Sequence, residues 1–318
     1  MNNFWQKLPK PFTVLAPMDD VTDNVFRQVV MEAGRPDVFF TEFTSADGLV
    51  YNSHGVPLRK LTFTPDQHPI VAQIWGKDPV LMEKAAGIVA DLGFDGIDIN
   101  MGCPVREVMK RGAGAGLIGN YDLSGEIIKS VKKGAGKIPV SVKTRLGKNE
   151  NIAREWCTFL LKQNIATLTI HARTAKQMSA SPADWNEIGE IVKIKNEISP
   201  ETVIIGNGDV KSYDEVVVLS EKYGVDGVMI GRGIFTNPWV FNPTSLKLRG
   251  VRQDYIDLLL KHIDLFEKTW GETKNFAIIK KFFKMYINNF NGASILRQKL
   301  MEATSFEEIK SVVSTPRS

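Results

Sequence analysis

Short apolar segments alternate with amphipathic segments along about the first 235 residues of this 318-residue chain. The apolar segments are continuous and rich in β-branched residues, which is typical of strands that are buried on both faces of a sheet. We predict eight such strands: Thr13–Ala16, Val38–Thr41, Ile70–Ile74, Gly96–Asn100, Pro139–Lys143, Thr167–Ile170, Val203–Ile205 and Gly227–Ile230.

Helical patterns lie between these strands. The clearest are Pro79–Leu92, Leu123–Lys133, Ile152–Gln163 and Ser212–Tyr223. Asp78 is suited to cap the first of them, with Pro79 at its first position and Gly93 at its end. Eight strands that mostly alternate with helices predict an α/β fold of the (β/α)8 TIM-barrel type. A doubly wound sheet is the alternative, but the first strand ends in Ala16-Pro17-Met18 and lacks the glycine fingerprint of that fold.

The pattern changes after Pro243, where no further strand is indicated. Four helical segments follow, which are Arg252–Trp270, Thr273–Asn289, Ile295–Ala303 and Phe306–Val313. We therefore predict a TIM-barrel domain over residues 1–243 and a C-terminal all-α helical bundle over residues 244–318.

The composition is that of a soluble globular protein, with 43% hydrophobic and 24% charged residues. No apolar run is long enough to span a membrane, and the first ten residues lack the apolar core of a signal peptide. The only cysteines are Cys103 and Cys157, which argues against a disulfide framework, and no Cys/His cluster has metal-ligand spacing. We expect a cytoplasmic protein without a bound metal.

The net charge of +4 is unevenly distributed. Residues 245–318 contain 13 Lys and Arg against 8 Asp and Glu, an excess of 5, whereas residues 1–244 contain 27 against 28. Lys280, Lys281 and Lys284 alternate with aromatic residues, as they would on a nucleic-acid-binding face. A solvated helix with an aromatic core is the alternative.

Polar residues follow every predicted strand, at the end of a barrel where catalytic groups lie. In chain order they are Met18-Asp19-Asp20, Glu42, Gln73, Asn100 with Cys103, Lys143 with Arg145, His171 with Arg173, Asn207-Gly208-Asp209 and Gly231-Arg232-Gly233. Glycines after the seventh and eighth strands favour a phosphorylated ligand, because their backbone N–H groups can approach phosphate oxygens closely. Tight turns are the alternative explanation for these glycines.

Lys143 has several possible roles. It could form a Schiff base, pair with a carboxylate, or present a fixed cation to a ligand. With Gln73 and His171 on nearby strands, that ligand could be the polar edge of a flavin ring, whose reduced anion a cation would stabilise. The spacing of the residues leaves these alternatives open.

Several segments together resemble the tRNA-dihydrouridine synthases. They are Ala16-Pro17-Met18 with Val21-Thr22-Asp23 and Phe26-Arg27, Val71–Gly76, Asp98-Ile99-Asn100-Met101-Gly102-Cys103-Pro104, Lys110-Arg111-Gly112-Ala113-Gly114-Ala115, Ser141–Gly147, Ile170–Thr174, Ile205–Val210 and Met229–Gly233. They occur in the order found in that family and span most of the predicted barrel. The Asn-x-Gly-Cys-Pro and Lys-Arg-Gly-x-Gly elements distinguish the family from other flavin-binding barrels.

The resemblance implies an enzyme that binds FMN at the barrel mouth, is reduced by NADPH and reduces the 5,6 double bond of uridines in tRNA. It implies that Cys103 is the catalytic acid that protonates C5 of uracil. The implied cofactor-binding residues are Pro17, Met18, Asp19, Gln73, Lys143, His171, Asn207, Gly208, Asp209, Gly231 and Arg232. The implied substrate-binding residues are Asn100, Arg173, Lys110, Arg111, Lys280 and Lys281. We expect a monomer with tRNA and NADPH as its partners.

The chain departs from the family pattern at two places. Asp19-Asp20 stands where the family usually has a small residue or glycine, and Lys280-Lys281-Phe282 stands where members often have Arg-Lys-His. Two alternative functions therefore stay open, which are another FMN-dependent barrel that reduces a small pyrimidine or enone and a non-catalytic RNA-binding barrel. Cys157, beside Trp156 on a predicted helix, is interpreted as an inert core thiol.

Overall fold

The structure is a computed structural model, and it describes residues 3–52, 54–244, 252–288 and 290–314. Its strands are β1 Phe12–Leu15, β2 Phe39–Phe40, β3 Thr44–Ser45, β4 Ile70–Trp75, β5 Gly96–Met101, β6 Val140–Gly147, β7 Thr167–Thr174, β8 Val203–Asn207 and β9 Gly227–Ile230. Its α-helices are α1 Asn24–Ala33, α2 Ala46–Tyr51, α3 Val56–Lys60, α4 Pro79–Asp91, α5 Arg106–Lys110, α6 Tyr121–Ala135, α7 Ala153–Leu161, α8 Trp185–Ile198, α9 Tyr213–Tyr223, α10 Arg252–Trp270, α11 Phe283–Tyr286, α12 Ala293–Glu302 and α13 Phe306–Ser314.

Eight of the strands form a nearly closed parallel barrel, and the short β3 adds to the edge of β4. The order is β1-β9-β8-β7-β6-β5-β4-β2. A parallel bridge between Val14 and Val38 joins the two ends of this order. The predicted TIM barrel is confirmed, and the doubly wound alternative is wrong. Helices follow most of the strands, as the alternation of sequence patterns predicted.

The helix α4 shows how local sequence sets an element's limits. Asp78 caps its start, because the Asp78 Oδ1 accepts the backbone N–H of Val80 at 2.8 Å. Pro79 occupies the first turn, where its missing N–H costs nothing. Just beyond the end of the helix, Gly93 takes a φ of +83°. Both predicted ends are thus correct to within two residues.

The central strands are longer than predicted. Strand β6 continues to Gly147 and β7 to Thr174, so Arg145, His171 and Arg173, which follow the predicted strands, lie within the observed strands, as Lys143 does. In a strand, alternate residues point to the same face. The four side chains are therefore directed to the interior of the barrel together with their neighbours in the register, while Thr144 faces outward and accepts a hydrogen bond from the Trp156 indole of α7.

The amino-terminal half of the barrel interior is apolar. Phe12, Val14, Val71 and Ile205 form a buried cluster there, together with Trp5 from the segment before β1. No described helix combines the length and apolar character needed to cross a lipid bilayer. The polar residues Asn100, Lys143 and Asn207 lie nearer the carboxyl ends of their strands.

The chain divides into two compact units. The first contains all nine strands and ends at Gly231. The second contains Val25–Arg35, Lys211–Tyr213 and the chain from Arg232 onward. The sequence-based boundary between residues 243 and 244 adjoins residues 245–251, which lie outside the described residues, and it stays a prediction.

Within the second unit, the predicted helix Thr273–Asn289 is not continuous. A 3₁₀-helix spans Phe276–Phe282 and continues as α11, and Asn289 lies outside the described residues. Phe282 is buried and stacks on Phe26, with the ring centroids 5.2 Å apart. The tighter 3₁₀ spacing brings residues three apart onto one side, and burial of this aromatic side overrides the simple α-helical pattern.

Candidate active site

Cys103 lies in the loop that directly follows β5. The side chain of Asn100 fixes this loop, because its Oδ1 accepts the backbone N–H groups of Gly102 at 3.1 Å and Cys103 at 2.9 Å. The Cys103 carbonyl accepts the N–H of Ala115 at 3.0 Å. Only 8% of Cys103 is exposed. The thiol is thus held at the carboxyl end of a central strand with little access to bulk water.

The Lys-Arg-Gly-Ala-Gly element returns to pack against this loop. Gly114 has a φ of +57°, and a Cβ atom there would lie 2.9 Å from the Cys103 carbonyl oxygen. Val108 and Ala113 form a buried cluster with Cys103. The two elements that distinguish the family therefore meet around one thiol, and a residue other than glycine at position 114 would displace it.

The thiol of Cys103 is protonated at neutral pH. Burial raises the pKa of Cys103 above its ordinary value of 9.0, and the nearby guanidinium of Arg145 and ammonium of Lys143 lower it by less. Arg145 also holds the loop mechanically, since its Nε donates to the Gly102 carbonyl at 2.8 Å and its Nη1 to the Thr174 carbonyl at 3.1 Å. One side chain therefore ties the loop after β5 to the end of β7.

A buried polar network extends from this loop into the barrel. The Asn100 Nδ2 donates to the Gln73 Oε1 at 2.9 Å, and the Gln73 Nε2 donates to the Asp98 Oδ2 at 2.7 Å. The other carboxylate oxygen of Asp98 accepts the Ser141 hydroxyl at 2.6 Å. These four side chains come from β4, β5 and β6 and are all buried.

Lys143 brings a cation into the same interior. Its Nζ donates to the Asn207 Oδ1 at 3.1 Å across the barrel. The Asn207 Nδ2 donates to the Met229 carbonyl at 2.8 Å, which turns its oxygen toward the lysine. Burial, followed by repulsion from Arg145, lowers the pKa of Lys143 to about 8. Lys143 is therefore mainly cationic at neutral pH. Its ammonium group has further N–H donors besides the one that Asn207 accepts.

Arg173 orients His171 near the carboxyl end of β7. The Arg173 Nη1 and the His171 Nε2 are 3.2 Å apart. Because arginine can only donate, this contact makes Nε2 the acceptor and leaves the proton on Nδ1. Arg173 is itself buried, and it donates to the Ser181 carbonyl at 2.6 Å and forms an ion pair with Asp209. Its predicted contact with substrate stays a prediction.

The carboxyl ends of β8 and β9 lie side by side, because Asn207 pairs with Met229 in the register. Gly208 takes a φ of +141°, and a Cβ atom there would lie 2.7 Å from the Cβ of Ala183. At Gly231 a Cβ atom would meet nothing closer than 3.4 Å, so the backbone of that residue is open to approach. The half-buried backbone of Gly231 fits an anionic group such as a phosphate, whereas Gly208 is buried.

Gly206 has a purely structural explanation. A Cβ atom on this residue would lie 2.2 Å from the ring of Trp185, so the glycine makes room for that indole. Trp185 Nε1 in turn donates to the Gly208 carbonyl at 3.0 Å. Packing against Trp185, and not a tight turn, therefore accounts for Gly206, and the phosphate hypothesis depends on Gly208 and Gly231.

The unusual pair Asp19-Asp20 is accommodated by two other charged residues. Lys60 of α3 forms an ion pair with Asp19 and lies 3.8 Å from Glu42. Asp20 adopts a left-handed conformation with a φ of 56°, and its backbone N–H donates to the Glu42 carboxylate at 2.8 Å. Pro17 and Met18 remain half-buried at the end of β1. The turn thus keeps its place beside the barrel mouth without a small residue.

The predicted RNA-binding residues lie in both units. In the first, Lys110 and Arg111 are exposed, and the Arg111 guanidinium lies 5.9 Å from the centre of the Trp75 ring. In the second, Lys281 is exposed, whereas the half-buried Lys280 donates to a backbone carbonyl at 2.7 Å. Arg232, predicted to bind the cofactor, is exposed and begins a 3₁₀-helix of the second unit.

Sequence reasoning missed several polar residues of the barrel interior. Asp98, Ser141 and Thr169 precede the predicted site residues of their strands by two positions, and the structure buries all three. The signal was available, because Asp98-x-Asn100, Ser141-x-Lys143-x-Arg145 and Thr167-x-Thr169-x-His171 place polar residues at the period of a strand face. Continuous burial of these strands hid that alternation.

The interior fits a ligand with acceptor atoms. An ammonium has three donors, and Lys143 uses one of them on the described part of the chain. The Thr169 hydroxyl, paired with Lys143 in the register, is buried and has no hydrogen-bond partner among the described residues. Buried donors of this kind are normally satisfied. An acceptor-rich, partly anionic ring edge would satisfy them.

Together these features define a TIM-barrel enzyme with a protonated thiol near a half-buried cation. A family model described as dihydrouridine synthase (Dus) matches residues 14–316. The chain belongs to the dihydrouridine synthase family. It is a tRNA-dihydrouridine synthase, an oxidoreductase, and neither a reductase of small pyrimidines nor a non-catalytic barrel. Membership in the family implies a flavin cofactor and a tRNA substrate.

Curated relatives match along nearly their whole length. The chain is 47% identical over 314 residues to the probable tRNA-dihydrouridine synthase 2 of Bacillus subtilis (strain 168), covering 98% of this chain and 95% of the relative. It is 46% identical over 315 residues to the probable tRNA-dihydrouridine synthase of Staphylococcus aureus (strain Mu50 / ATCC 700699), covering 98% and 94%.

Solved structures with low sequence identity share the fold. The amine oxidase for 6-hydroxypseudooxynicotine from Pseudomonas geniculata N1 is 12% identical with a TM-score of 0.57, covering 83% of this chain and 53% of that one. Histamine dehydrogenase from Rhizobium sp. 4-9 is 14% identical with a TM-score of 0.55, covering 80% and 48%. The chain spans about half the length of these two proteins, and the similarity shows the fold alone.

Proposed function

We propose that the chain binds FMN at the barrel mouth, accepts electrons from NADPH and reduces the C5–C6 double bond of uridines in tRNA, with Cys103 as the proton donor. The observation that carries the proposal is the position of the Cys103 thiol, which is protonated and fixed by Asn100 at the end of β5. Lys143, which is half-buried in the same interior, would give the site its cation.

The cofactor would be held by groups from both sides of the barrel mouth. Gln73, Lys143 and His171 would contact the ring, and the fit is supported by the unused donors of the lysine. Pro17, Met18 and Asp19 would line the ring from β1. The backbone of Gly208 and Gly231, with Asn207, Asp209 and Arg232, would hold the ribityl phosphate.

The identity of the cofactor as FMN rests on the neighbouring glycines after β8 and β9, of which Gly231 is half-buried and Gly208 is buried. Their two neighbouring backbones suit a single terminal phosphate. The cation of Lys143 would favour a reduced, anionic ring by electrostatic attraction that costs no reorganisation during the reaction.

The reaction adds a hydride and a proton across one double bond. When held by Gln73, Lys143 and His171, a reduced flavin would supply the hydride chemistry needed at C6 of uracil. The Cys103 S–H bond breaks as the proton forms a bond to C5, and the thiolate left behind lies in the field of Lys143 and Arg145, which lower the pKa of Cys103. A proton from water then restores the thiol. The low exposure of the sulfur limits its reaction with other electrophiles.

The substrate residues are proposed from their placement and charge. Asn100 and Arg173 lie at the barrel mouth, and the exposed Lys110 and Arg111 lie on the segment that packs against the Cys103 loop. Cations here and in the C-terminal helices would attract the phosphate backbone of tRNA.

Cofactor analysis tests this proposal directly. The purified protein should carry a flavin that is released on denaturation and identified as FMN, and NADPH should bleach it without oxygen. Unmodified tRNA should then restore the oxidised spectrum and gain dihydrouridine. Release of FAD, or reduced flavin that tRNA does not reoxidise, would contradict the proposal.

A further inference from the structure

We propose that Asp98 is a positioning residue for the catalytic loop: its buried carboxylate fixes the direction of the Gln73 and Asn100 amides and, through them, the place of Cys103. The inference rests on the proposed role of Cys103 as the acid. Asp98 makes no side-chain hydrogen bond to the loop among the described residues, because its carboxylate accepts from the Gln73 amide and the Ser141 hydroxyl.

Four hydrogen bonds connect Asp98 to the Cys103 loop, and the last two share the Asn100 Oδ1 as acceptor. The Asp98 Oδ2 accepts from the Gln73 Nε2 at 2.7 Å, and the Gln73 Oε1 accepts from the Asn100 Nδ2 at 2.9 Å. The Asn100 Oδ1 then accepts from the N–H groups of Gly102 and Cys103. Every link has ordinary hydrogen-bond length, and the three side chains are at least 94% buried, so water does not substitute for any of them.

The donor-to-acceptor direction of these hydrogen bonds follows from Asp98 alone. A side-chain amide has one accepting and one donating end, and both orientations have the same shape. An ionised carboxylate only accepts, so it selects the Gln73 orientation that points the amide oxygen at Asn100. That choice turns the Asn100 oxygen toward the loop. The opposite orientation would set the Asn100 Nδ2 against two N–H donors.

Asp98 is charged under the conditions in which the enzyme works. Burial raises the pKa of Asp98 to about 6, while hydrogen bonds from Ser141 and Gln73 and attraction to Lys143 oppose the rise. The carboxylate is therefore mainly ionised at neutral pH. Replacement of an acceptor in such a network leaves a buried donor unpaired, and that cost is avoided only if the amides rotate.

Alkylation of Cys103 in the flavin-free protein tests the proposal without relying on activity. Asp98→Val fills the strand position but removes the acceptor, so Cys103 should react with iodoacetamide about tenfold faster or more than in wild type. Asp98→Asn can still accept from Gln73 and donate to Ser141, and it should react within about twofold of wild type. Mass spectrometry reports both cysteines, and the buried Cys157 is the internal reference.

Ser141→Ala is the matched control, because it removes the other hydrogen bond of the same carboxylate and leaves the chain to Cys103 intact. It should label Cys103 at the wild-type rate. If Asp98→Val does not fold, Gln73→Met breaks the chain one link later and should give the same faster labelling. Wild-type labelling in Asp98→Val, or in Gln73→Met, overturns the proposal. Equally fast labelling in Ser141→Ala also overturns it, because general loosening would then explain the result.

Turnover gives the second readout. In flavin-loaded Asp98→Val, kcat for tRNA should fall by about tenfold or more while KM changes little, since proton donation is impaired and tRNA docking is not. Failure of the proposed function is distinguishable from failure of the positioning role of Asp98, because the wild-type protein itself would then show no flavin reoxidation by tRNA. A kcat equal to wild type, with faster labelling, would overturn the positioning role.

Discussion

The side chain of Asn100 and the backbone of Cys103 are joined by a hydrogen bond of 2.9 Å from the Cys103 N–H to the Asn100 Oδ1. The residue near the end of β5 thereby sets the position of the loop that follows it. A short polar side chain that accepts the N–H groups of residues two and three positions later is a common way to fix a turn. Here it also links the proposed acid to the buried network of the barrel.

Removal of this link should release the loop locally. In Asn100→Ala, the amides of Gly102 and Cys103 lose their acceptor, and we expect their hydrogen exchange to accelerate by about tenfold or more. The free energy of unfolding should fall by about 1–3 kcal/mol, because the Gln73 oxygen also loses its donor. Hydrogen exchange of the flavin-free protein, resolved by mass spectrometry, measures the effect.

Asn120→Ala is a control of the same chemical type. Asn120 caps α6, and its Oδ1 accepts the Leu123 N–H. Its loss should lower stability by about 0.5–2 kcal/mol without changing exchange at Gly102 or Cys103. Unaltered exchange in Asn100→Ala would show that the backbone holds the loop by itself.

Lys143 should give flavin binding a dependence on pH. Its pKa is lowered from 10.5 to about 8, so its positive charge disappears as the pH rises through 8. If the bound ring prefers the cation, FMN affinity should be constant below pH 8 and fall by up to about tenfold per pH unit above it. Fluorescence titration between about pH 7 and pH 9 measures this, and Lys143→Met should bind weakly with a flat profile. The same pH dependence in Lys143→Met would assign it to another group.

The lowered pKa of Lys143 also affects the free energy of unfolding. The effect has the opposite sign to that of a salt bridge, which raises the pKa of a lysine and stabilises the fold. The folded pKa of Lys143 is below the unfolded value, so its burial opposes folding fully below pH 8. The cost decreases as the pH rises from 8 toward 10.5, where the unfolded chain also loses the proton. Relative to wild type, Lys143→Met should therefore gain stability most at neutral pH.

The C-terminal lysines should contribute to the salt dependence of tRNA binding. Combined replacement of Lys280, Lys281 and Lys284 by Ala removes three charges from a short segment, and the slope of log affinity against log salt should fall by roughly two to three units. Lys310→Ala is the control, because Lys310 is ion-paired with Asp264 at 2.7 Å in the same unit. An unchanged slope in the triple variant would place the RNA contacts elsewhere.

Much of the fold could be predicted from the chain because its local signals agree with one another. The strand runs are continuous and β-branched, and caps such as Asp78 mark helix starts, so strand number and order follow. The helix Thr273–Asn289 was predicted wrongly, because burial of Phe282 against other aromatic rings favours a 3₁₀ turn that no local pattern indicates.

The candidate site could be predicted only in part. The residues near Cys103 are recognisable because glycine, cysteine and proline interrupt a strand end. Asp98 and Ser141 are not, since a polar residue inside a buried run has meaning only when the register places its partner opposite. The link from Lys143 to Asn207 likewise requires the pairing of β6 with β7 and of β7 with β8, which brings together residues 64 positions apart.

The most direct test of the account is the anaerobic reoxidation of NADPH-reduced enzyme by tRNA in Cys103→Ala. FMN content and the rate of reduction should match wild type, because neither step needs a proton for uracil C5, whereas reoxidation should slow by about 10²–10⁴-fold. Cys157→Ala, which removes a thiol buried in α7 with a pKa raised to about 12, should reoxidise at the wild-type rate. Reoxidation of Cys103→Ala as fast as wild type would contradict the account and require another proton donor.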